Sequence, residues 1–274
     1  MSKLIPNIFD INNLKDDGVE SNLWTAVIPA AGIGSRLGCN HPKILYPLLG
    51  RPILDWLLDS LASVVSQYVF ILSPKGLLEV EPFLESRLAG RYKVVIQECP
   101  TGMGDAVLLA ENAVDTPYTL VIWGDQITIT PKTLRVCAAL HQSRSAATLT
   151  LPSLLRKNPY INLIRNSQGL LVDVHQAREG EVRDKYGEND CGVFLFTSKQ
   201  LFKILAVARN EKHGIGNHTF EFNLLPTLPR FECGVESVYT VRIHNINETF
   251  GVNTKEDAHL AEIILRKSLK ESSH

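Results

Sequence analysis

Ala26-Val27-Ile28-Pro29-Ala30-Ala31-Gly32-Ile33-Gly34-Ser35-Arg36-Leu37-Gly38, closed after a short spacer by Pro42-Lys43, is the stretch whose reading decides the fold. Leu23 to Ile28 is apolar and short, as a buried strand is. The residues after it are small, which lets backbone N–H groups come close to a ligand and leaves glycine free to take positive φ. Amides turned inward by such a loop form a concavity suited to an anion. Arg36 adds a rigid fork of donors and Lys43 a movable point charge. Together these features suit a polyphosphate.

Other glycine loops fit less well. A lone G-x-G can be no more than a tight turn. A dinucleotide loop wants G-x-G-x-x-G and an acid about 20 residues on. Here Gly38 comes one residue late and no strand-end acid follows at that distance. Nothing matches the P-loop pattern G-x-x-x-x-G-K-[ST].

The string A-A-G-x-G-S-R-L followed by P-K resembles the signature of the nucleotidyltransferases that make nucleotide-sugars. Within them the likeness is closest to the uridylyltransferase domain of bacterial N-acetylglucosamine-1-phosphate uridylyltransferases, and runs with gaps from about Trp24 to about Leu265. The resemblance implies a Rossmann-like α/β fold with a mixed, mostly parallel sheet. It implies a Mg²⁺-dependent transfer from an NTP, UTP by this likeness, to a sugar 1-phosphate. A cytidylyltransferase acting on a phosphorylated alcohol or polyol shares the loop and the P-K, and a catalytically silent nucleotide-binding regulator is a further alternative. No hexapeptide array is present, so the acetyltransferase half of the bifunctional enzymes is expected to be missing.

The resemblance carries roles residue by residue. Arg36 and Lys43 match the catalytic cations, and Ala30, Ala31, Gly32, Gly34 and Ser35 the phosphate loop. Gln97-Glu98-Cys99-Pro100-Thr101-Gly102-Met103-Gly104 resembles the base-reading segment, assigning Gln97, Gly102 and Met103 to the nucleotide. The family commonly has Thr at Met103. Asp125, in W-G-D at a strand end, matches a metal ligand. Asn253, in E-T-F-G-V-N, matches the second. Glu188-Asn189-Asp190-Cys191-Gly192 aligns with an E-x-N-x-G segment that touches the sugar, so Asp190 and Gly192 are sugar-phosphate candidates, and Glu221, which resembles a position of the family's E-[YF] helix, is a third. Asp190 stands where the family has Asn, and an acceptor-only carboxylate reads hydroxyls differently. His175, Gln176 and Glu179 all lie near the position of the family's sugar-binding Glu.

The rest of the chain supports an α/β reading. Strands at Tyr68–Leu72, Lys93–Ile96 and Tyr118–Trp123 alternate with helices at about Arg51–Ser66, Pro74–Leu88, Gly102–Asn112 and Pro131–His141. That alternation predicts a mostly parallel sheet with helices on both faces and ligands at the strands' carboxyl ends. The Ala30 loop, Gln97 and Asp125 should share that edge. Later strands are expected at Ala147–Leu151, Ile161–Arg165, Leu170–Gln176, Gly192–Thr197 and Glu236–Ile243, with a helix at Ser198–Ala208, a mobile loop at Glu211–Asn217 and a short helix at Phe220–Leu225. Thr254 and Asp257 make an approximate capping box for the last helix. Residues 1–21 read as an extension with one short helix near Ile8–Leu14, and residues 22–274 as one domain. Its nucleotide part spans about 22–145, its sugar-phosphate part about 146–253 and its C-terminal helix 254–270.

Composition sets the outer bounds. The 274 residues are 45% hydrophobic and 21% charged, ordinary for a globular protein. A formal net charge of −1 argues against nucleic acid as a bulk partner. No apolar run reaches the roughly 18 residues of a membrane span, and the N-terminus lacks a signal-peptide stretch. Five scattered cysteines without C-x-x-C suit a cytoplasmic protein. The partners implied are small substrates, and a homo-oligomer is compatible with the sequence.

Overall fold

The computed structural model describes residues 7–32, 35–234 and 236–271. Thirteen strands and six α-helices carry its architecture. In the first half, β1 (Ile8–Asp10) and β2 (Trp24–Pro29) precede a two-rung hairpin, β3 (Pro47–Leu48) and β4 (Arg51–Pro52). Then come α1 (Ile53–Leu61), β5 (Gln67–Leu72), α2 (Pro74–Leu88), β6 (Tyr92–Ile96), α3 (Met103–Leu109), β7 (Tyr118–Ile122) and α4 (Pro131–Gln142). The second half holds β8 (Leu149–Lys157), β9 (Ile161–Arg165), β10 (Leu171–Gln176), β11 (Tyr186–Asp190), β12 (Val193–Thr197), α5 (Ser198–Asn210), β13 (Val238–Arg242) and α6 (Lys255–Glu271).

The main sheet runs β1-β13-β8-β12-β7-β2-β5-β6, with β11 also on β8. Pairs β7·β2, β2·β5 and β5·β6 are parallel, while β12 is antiparallel to both neighbours. The mixed, mostly parallel sheet expected from the alternation is therefore present. Alternate residues of one strand face opposite layers. Ala26, Ile28, Phe70, Leu72, Leu120 and Ile122 pack in the cluster that takes in α1, α2, α4 and α6. Val27, Val69, Ile71 and Val121 pack in the cluster under α3 and α5. A strand buried on both faces reads as a continuous apolar run, and β2 is buried at all six positions.

Local chemistry sets the helix starts. Ser73 Oγ accepts from Gly76 N–H at 3.0 Å with Pro74 behind it, and Thr130 Oγ1 accepts from Thr133 N–H at 3.2 Å with Pro131 behind it. The capping box at α6 is made: Thr254 N–H donates to Asp257 Oδ2 at 2.8 Å, and Asp257 N–H donates back to Thr254 Oγ1 at 3.1 Å.

Local detail differs from expectation in places. Of the short helix expected near Ile8–Leu14, a 3₁₀ turn is present at Ile11–Asn13, while Ile8–Asp10 is a strand because it pairs in parallel with β13 and closes that edge of the sheet. Phe220–Leu225 is not a helix. Phe222 N–H donates to Thr101 O at 2.9 Å and Phe222 O accepts from Gly104 N–H at 2.8 Å, so the segment is spent on the Gly102 loop. The 3₁₀ turn of this region lies at Leu225–Phe231 instead. Tyr186–Asp190, unassigned from sequence, is a strand on β8. The Glu211–Asn217 loop carries two backbone bonds to the segment after it: Gly216 N–H donates to Glu221 O at 2.9 Å and Asn223 N–H to Gly214 O at 2.8 Å.

Beneath β9 and β11 lies a buried ion pair. Arg165 donates to both Glu188 oxygens at 2.7 and 2.8 Å, and Ser153 Oγ and Thr240 Oγ1 complete the network. Burial alone would raise the Glu188 carboxyl, yet Arg165 beside it holds it below the usual range. Removing one partner leaves the other charge buried and unpaired, so Arg165→Met should cost about 3–5 kcal/mol at neutral pH, read by urea denaturation. With its folded value depressed, Glu188 stabilises the protein above its unfolded pKa. That stabilisation is lost as pH falls through the lower folded value, so the gap between wild type and variant should narrow in acid.

Candidate active site

One cavity of about 770 Å³ opens at the carboxyl ends of the central strands. Two rims meet there because β2 and β7 are adjacent and parallel, with Val27 opposite Val121. The loop after β2 and the Gly124-Asp125 turn after β7 therefore emerge side by side. Gly124 allows the close approach, since a Cβ there would lie 3.0 Å from Ile44 and 3.2 Å from Pro29 O.

The charged centre of the cavity is compact. Lys43 Nζ donates to Asp125 Oδ2 at 2.5 Å and to Asn253 Oδ1 at 3.1 Å, and Arg36 Nη2 donates to the same Asn253 oxygen at 3.2 Å. Four residues from three distant parts of the chain thus share one knot of hydrogen bonds. Asn253 reaches it because a strap, residues 248–253, is zipped to the segment after β7. Gln126 Nε2 donates to Glu248 O at 2.6 Å, Thr128 Oγ1 to Phe250 O at 2.9 Å, and Val252 N–H to Asp125 O at 3.2 Å. The buried Glu248 carboxylate accepts from Thr130 N–H at 3.0 Å, tying the strap to the start of α4. Gly251 passes so near Asp125 that an added Cβ would sit 3.3 Å from its carboxyl carbon.

The donor set fits a hard divalent cation. A carboxylate oxygen and an amide oxygen converge on one positive centre, beside open space for phosphate and water, which is how Mg²⁺ is commonly held. Among the described residues no group of three or more His, Cys, Asp or Glu could hold a metal by itself.

All the sequence-assigned residues line this cavity except two: Ser35 does not, and Gly34 lies outside the described residues. Gly102 sits at φ +117° with Phe222 O so near that a Cβ would stand 2.3 Å from it, so only glycine fits. Gln97 Nε2 donates to Gly102 O at 3.2 Å, a bond that holds the loop from within. Asp190 lines the cavity, but one carboxylate oxygen already accepts from Gly192 N–H at 2.8 Å. Glu221 accepts from Arg178 at 3.1 Å. Of the three residues near the expected sugar-binding position, Glu179 is spent on the N–H groups of His218 and Thr219, and His175 pairs with Asp173. Only Gln176 lines the cavity.

Sequence reasoning missed Arg156 and Arg178, which also line it. Nothing in the local pattern marks them, because each reaches the cavity from a strand or turn of the second half whose register is set only by pairing.

A model of the MobA-like NTP transferase domain matches residues 26–212. The chain belongs to the MobA-like NTP transferase family. Its chemistry class is therefore nucleotidyl transfer. It is also similar to bifunctional protein GlmU of Shouchella clausii, at 27% identity over 250 residues, 90% of this chain and 53% of that one. GlmU of Alkaliphilus metalliredigens is 28% identical over 249 residues, 89% of this chain and 53% of its own, and that of Halalkalibacterium halodurans 26% over 251, 90% and 53%. The chain spans about half the length of the curated relatives it matches. Among the described residues no helix is long and apolar enough to cross a membrane.

Asp190 gives this family member a measurable signature. Burial pushes its carboxyl up to about 6, against the opposing pull of the Gly192 N–H. A raised folded value means its contribution is fully present below the unfolded value near 3.8 and is lost as pH rises through about 6. Asp190→Asn keeps an oxygen for Gly192 N–H and removes the charge. It should therefore raise stability above pH 6 by an amount on the order of 3 kcal/mol, with little change below pH 4, as read by thermal melts across pH.

Proposed function

We propose that the protein condenses an NTP with a sugar 1-phosphate, releasing pyrophosphate, and that UTP is the nucleotide. The convergence of Arg36, Lys43, Asp125 and Asn253 at the mouth of the glycine loop is the observation that carries this reading. The likeness to bifunctional GlmU and to the uridylyltransferase motif supports UTP and a sugar phosphate as substrates.

A phosphate monoester has a second pKa of about 6, so the acceptor is already a competent nucleophile at neutral pH. No general base is required of the protein. Its work is positioning and charge neutralisation. The amides of Ala31 and Gly32 and the Arg36 guanidinium take the β- and γ-phosphates, while the Ala30 N–H is held by Ile71 O at 2.8 Å. Lys43, on its flexible stem, exchanges Asp125 for the reacting phosphates. Asp125 and Asn253 would hold a Mg²⁺, which when bound supplies further neutralisation of phosphate charge. Gln97, Gly102 and Met103 line the cavity, and their likeness to the base-reading segment supports assigning them to the base. None of the five cysteines is in a disulfide, which supports a cytoplasmic setting.

The test is a pyrophosphate-release screen pairing the four NTPs with sugar 1-phosphates and polyol phosphates, with and without Mg²⁺. UTP with a sugar 1-phosphate should give the fastest Mg²⁺-dependent release. CTP with a polyol phosphate would redirect the assignment, and no release from any pair would overturn it. Lys43→Ala and Asp125→Ala should each lower kcat by 10²–10³, the usual loss of one preorganised electrostatic contact, while the circular dichroism spectrum stays that of wild type.

A further inference from the structure

The cation-rich end of the cavity has a lysine on its rim that no contact within the fold accounts for. Lys255 is the first residue of α6, where a helix presents unpaired N–H groups and the positive end of its dipole. That end favours an anion, so a cation there works against the helix. Asp257 in the same turn does not offset it, because its Oδ2 is spent on the N–H groups of Asn253 and Thr254. Lys255 is exposed and has neither a hydrogen bond nor an ion pair among the described residues. Breaches of local electrostatics of this kind concentrate at functional positions.

The side chain is nonetheless placed. It lies across the turn that follows Arg36. A Cβ built on Gly38 would stand 2.8 Å from Lys255 Cε and 3.0 Å from its Nζ, so the ammonium rests on bare backbone. Gly38 also takes φ +75°, which leaves that space to glycine. The same two stretches of chain meet again one step inward, where Arg36 Nη2 donates to Asn253 Oδ1 at 3.2 Å. Lys43 Nζ donates to that oxygen at 3.1 Å and to Asp125 Oδ2 at 2.5 Å. Lys43 and Arg36 line the cavity and Lys255 stands just outside the lining. From Asp125 outward the order is therefore Lys43, Arg36, Lys255. A triphosphate is itself a row of anions, and its terminal phosphate is the one that titrates near pH 6 and adds a further negative charge at neutral pH. Lys255, a point charge on a flexible four-carbon stem with no partner to give up, suits that outermost position.

We propose that Lys255 takes the terminal phosphate of the incoming NTP and holds the outer phosphate of the pyrophosphate until it departs. The proposal rests on the nucleotidyl-transfer reading for what the row of cations binds, but its test is binding rather than turnover. Calorimetry on the full chain, with Mg²⁺ present and no acceptor, would titrate pyrophosphate, UTP and UMP, or CTP and CMP if CTP is preferred. The proteins are wild type, K255Q and K255R, with K255M in place of K255Q if that variant fails to fold. Wild type should bind pyrophosphate and UTP. K255Q should weaken both by roughly tenfold, as loss of a charge-assisted contact does, and leave UMP within about twofold, since UMP has no outer phosphates. K255R keeps the charge and should stay within about threefold of wild type. The melting temperature of K255Q should be no lower than that of wild type, because the change removes a cation from a helix N-terminus. Unchanged pyrophosphate and UTP affinities in K255Q, an equal loss for UMP, a K255R as weak as K255Q, or no pyrophosphate binding by wild type would overturn the proposal. The expected pattern with no release from any NTP and acceptor pair would overturn nucleotidyl transfer and leave Lys255 as a contact to the phosphate tail. Release by wild type with unchanged binding in K255Q would do the reverse.

Discussion

Two parallel strands, β2 and β7, lie side by side at the centre of the sheet, and the Lys43–Asp125 centre of the site follows from that adjacency. Parallel strands end on the same rim, so whatever chemistry follows each is delivered to one place. Here one end supplies an amide-lined loop with Arg36 and Lys43, and the other supplies Asp125. Their meeting is marked by an ion pair across 82 residues of sequence, Lys43 to Asp125. Reversing or separating the strands would leave the same residues without a common target.

The sheet is only half of the construction. Asp125 is held from behind by the strap that hydrogen-bonds to residues 125–130, and that strap hands Asn253 directly to the start of α6. Asn253 N–H and Thr254 N–H both bond Asp257, so the helix cap and Asn253, whose Oδ1 accepts from Lys43 and Arg36, belong to one corner. A terminal helix far along the chain is thereby coupled to a loop near its beginning. The cavity's second wall is made differently. The strands β8 to β11 pack a fully satisfied Glu188–Arg165 pair inward, and present Arg156, Gln176 and Asp190 toward the opening.

The cavity also explains why the glycines of this chain are unequal. Gly102 is required because Phe222 lies against its missing Cβ, and Gly192 combines φ +67° with Trp123 at 2.7 Å from the same position. Gly18 and Gly50 take positive φ in open space and serve only their turns.

Much of this was legible in the residues. Small residues after a buried strand, Arg36 and Lys43 at fixed spacing, and the W-G-D strand end each have a local physical reason and needed no tertiary information. The helix starts at Pro74 and Pro131 and the cap at Thr254 were equally readable, since helix starts are decided within about four residues. What the chain alone could not disclose depends on pairing. Ile8–Asp10 is a strand only because β13 offers an edge, and Tyr186–Asp190 only because β8 does. Gln176 rather than His175 or Glu179 faces the cavity because side chains alternate along β10 and Glu179 is claimed by a loop forty residues on. The sequence by itself determined the small-residue loop after β2, its neighbouring cations and the mostly parallel α/β frame, because those signals are short-range. The tertiary structure alone decided which side chains of the second half face the cavity, because facing is set by pairing and packing and not by residue type.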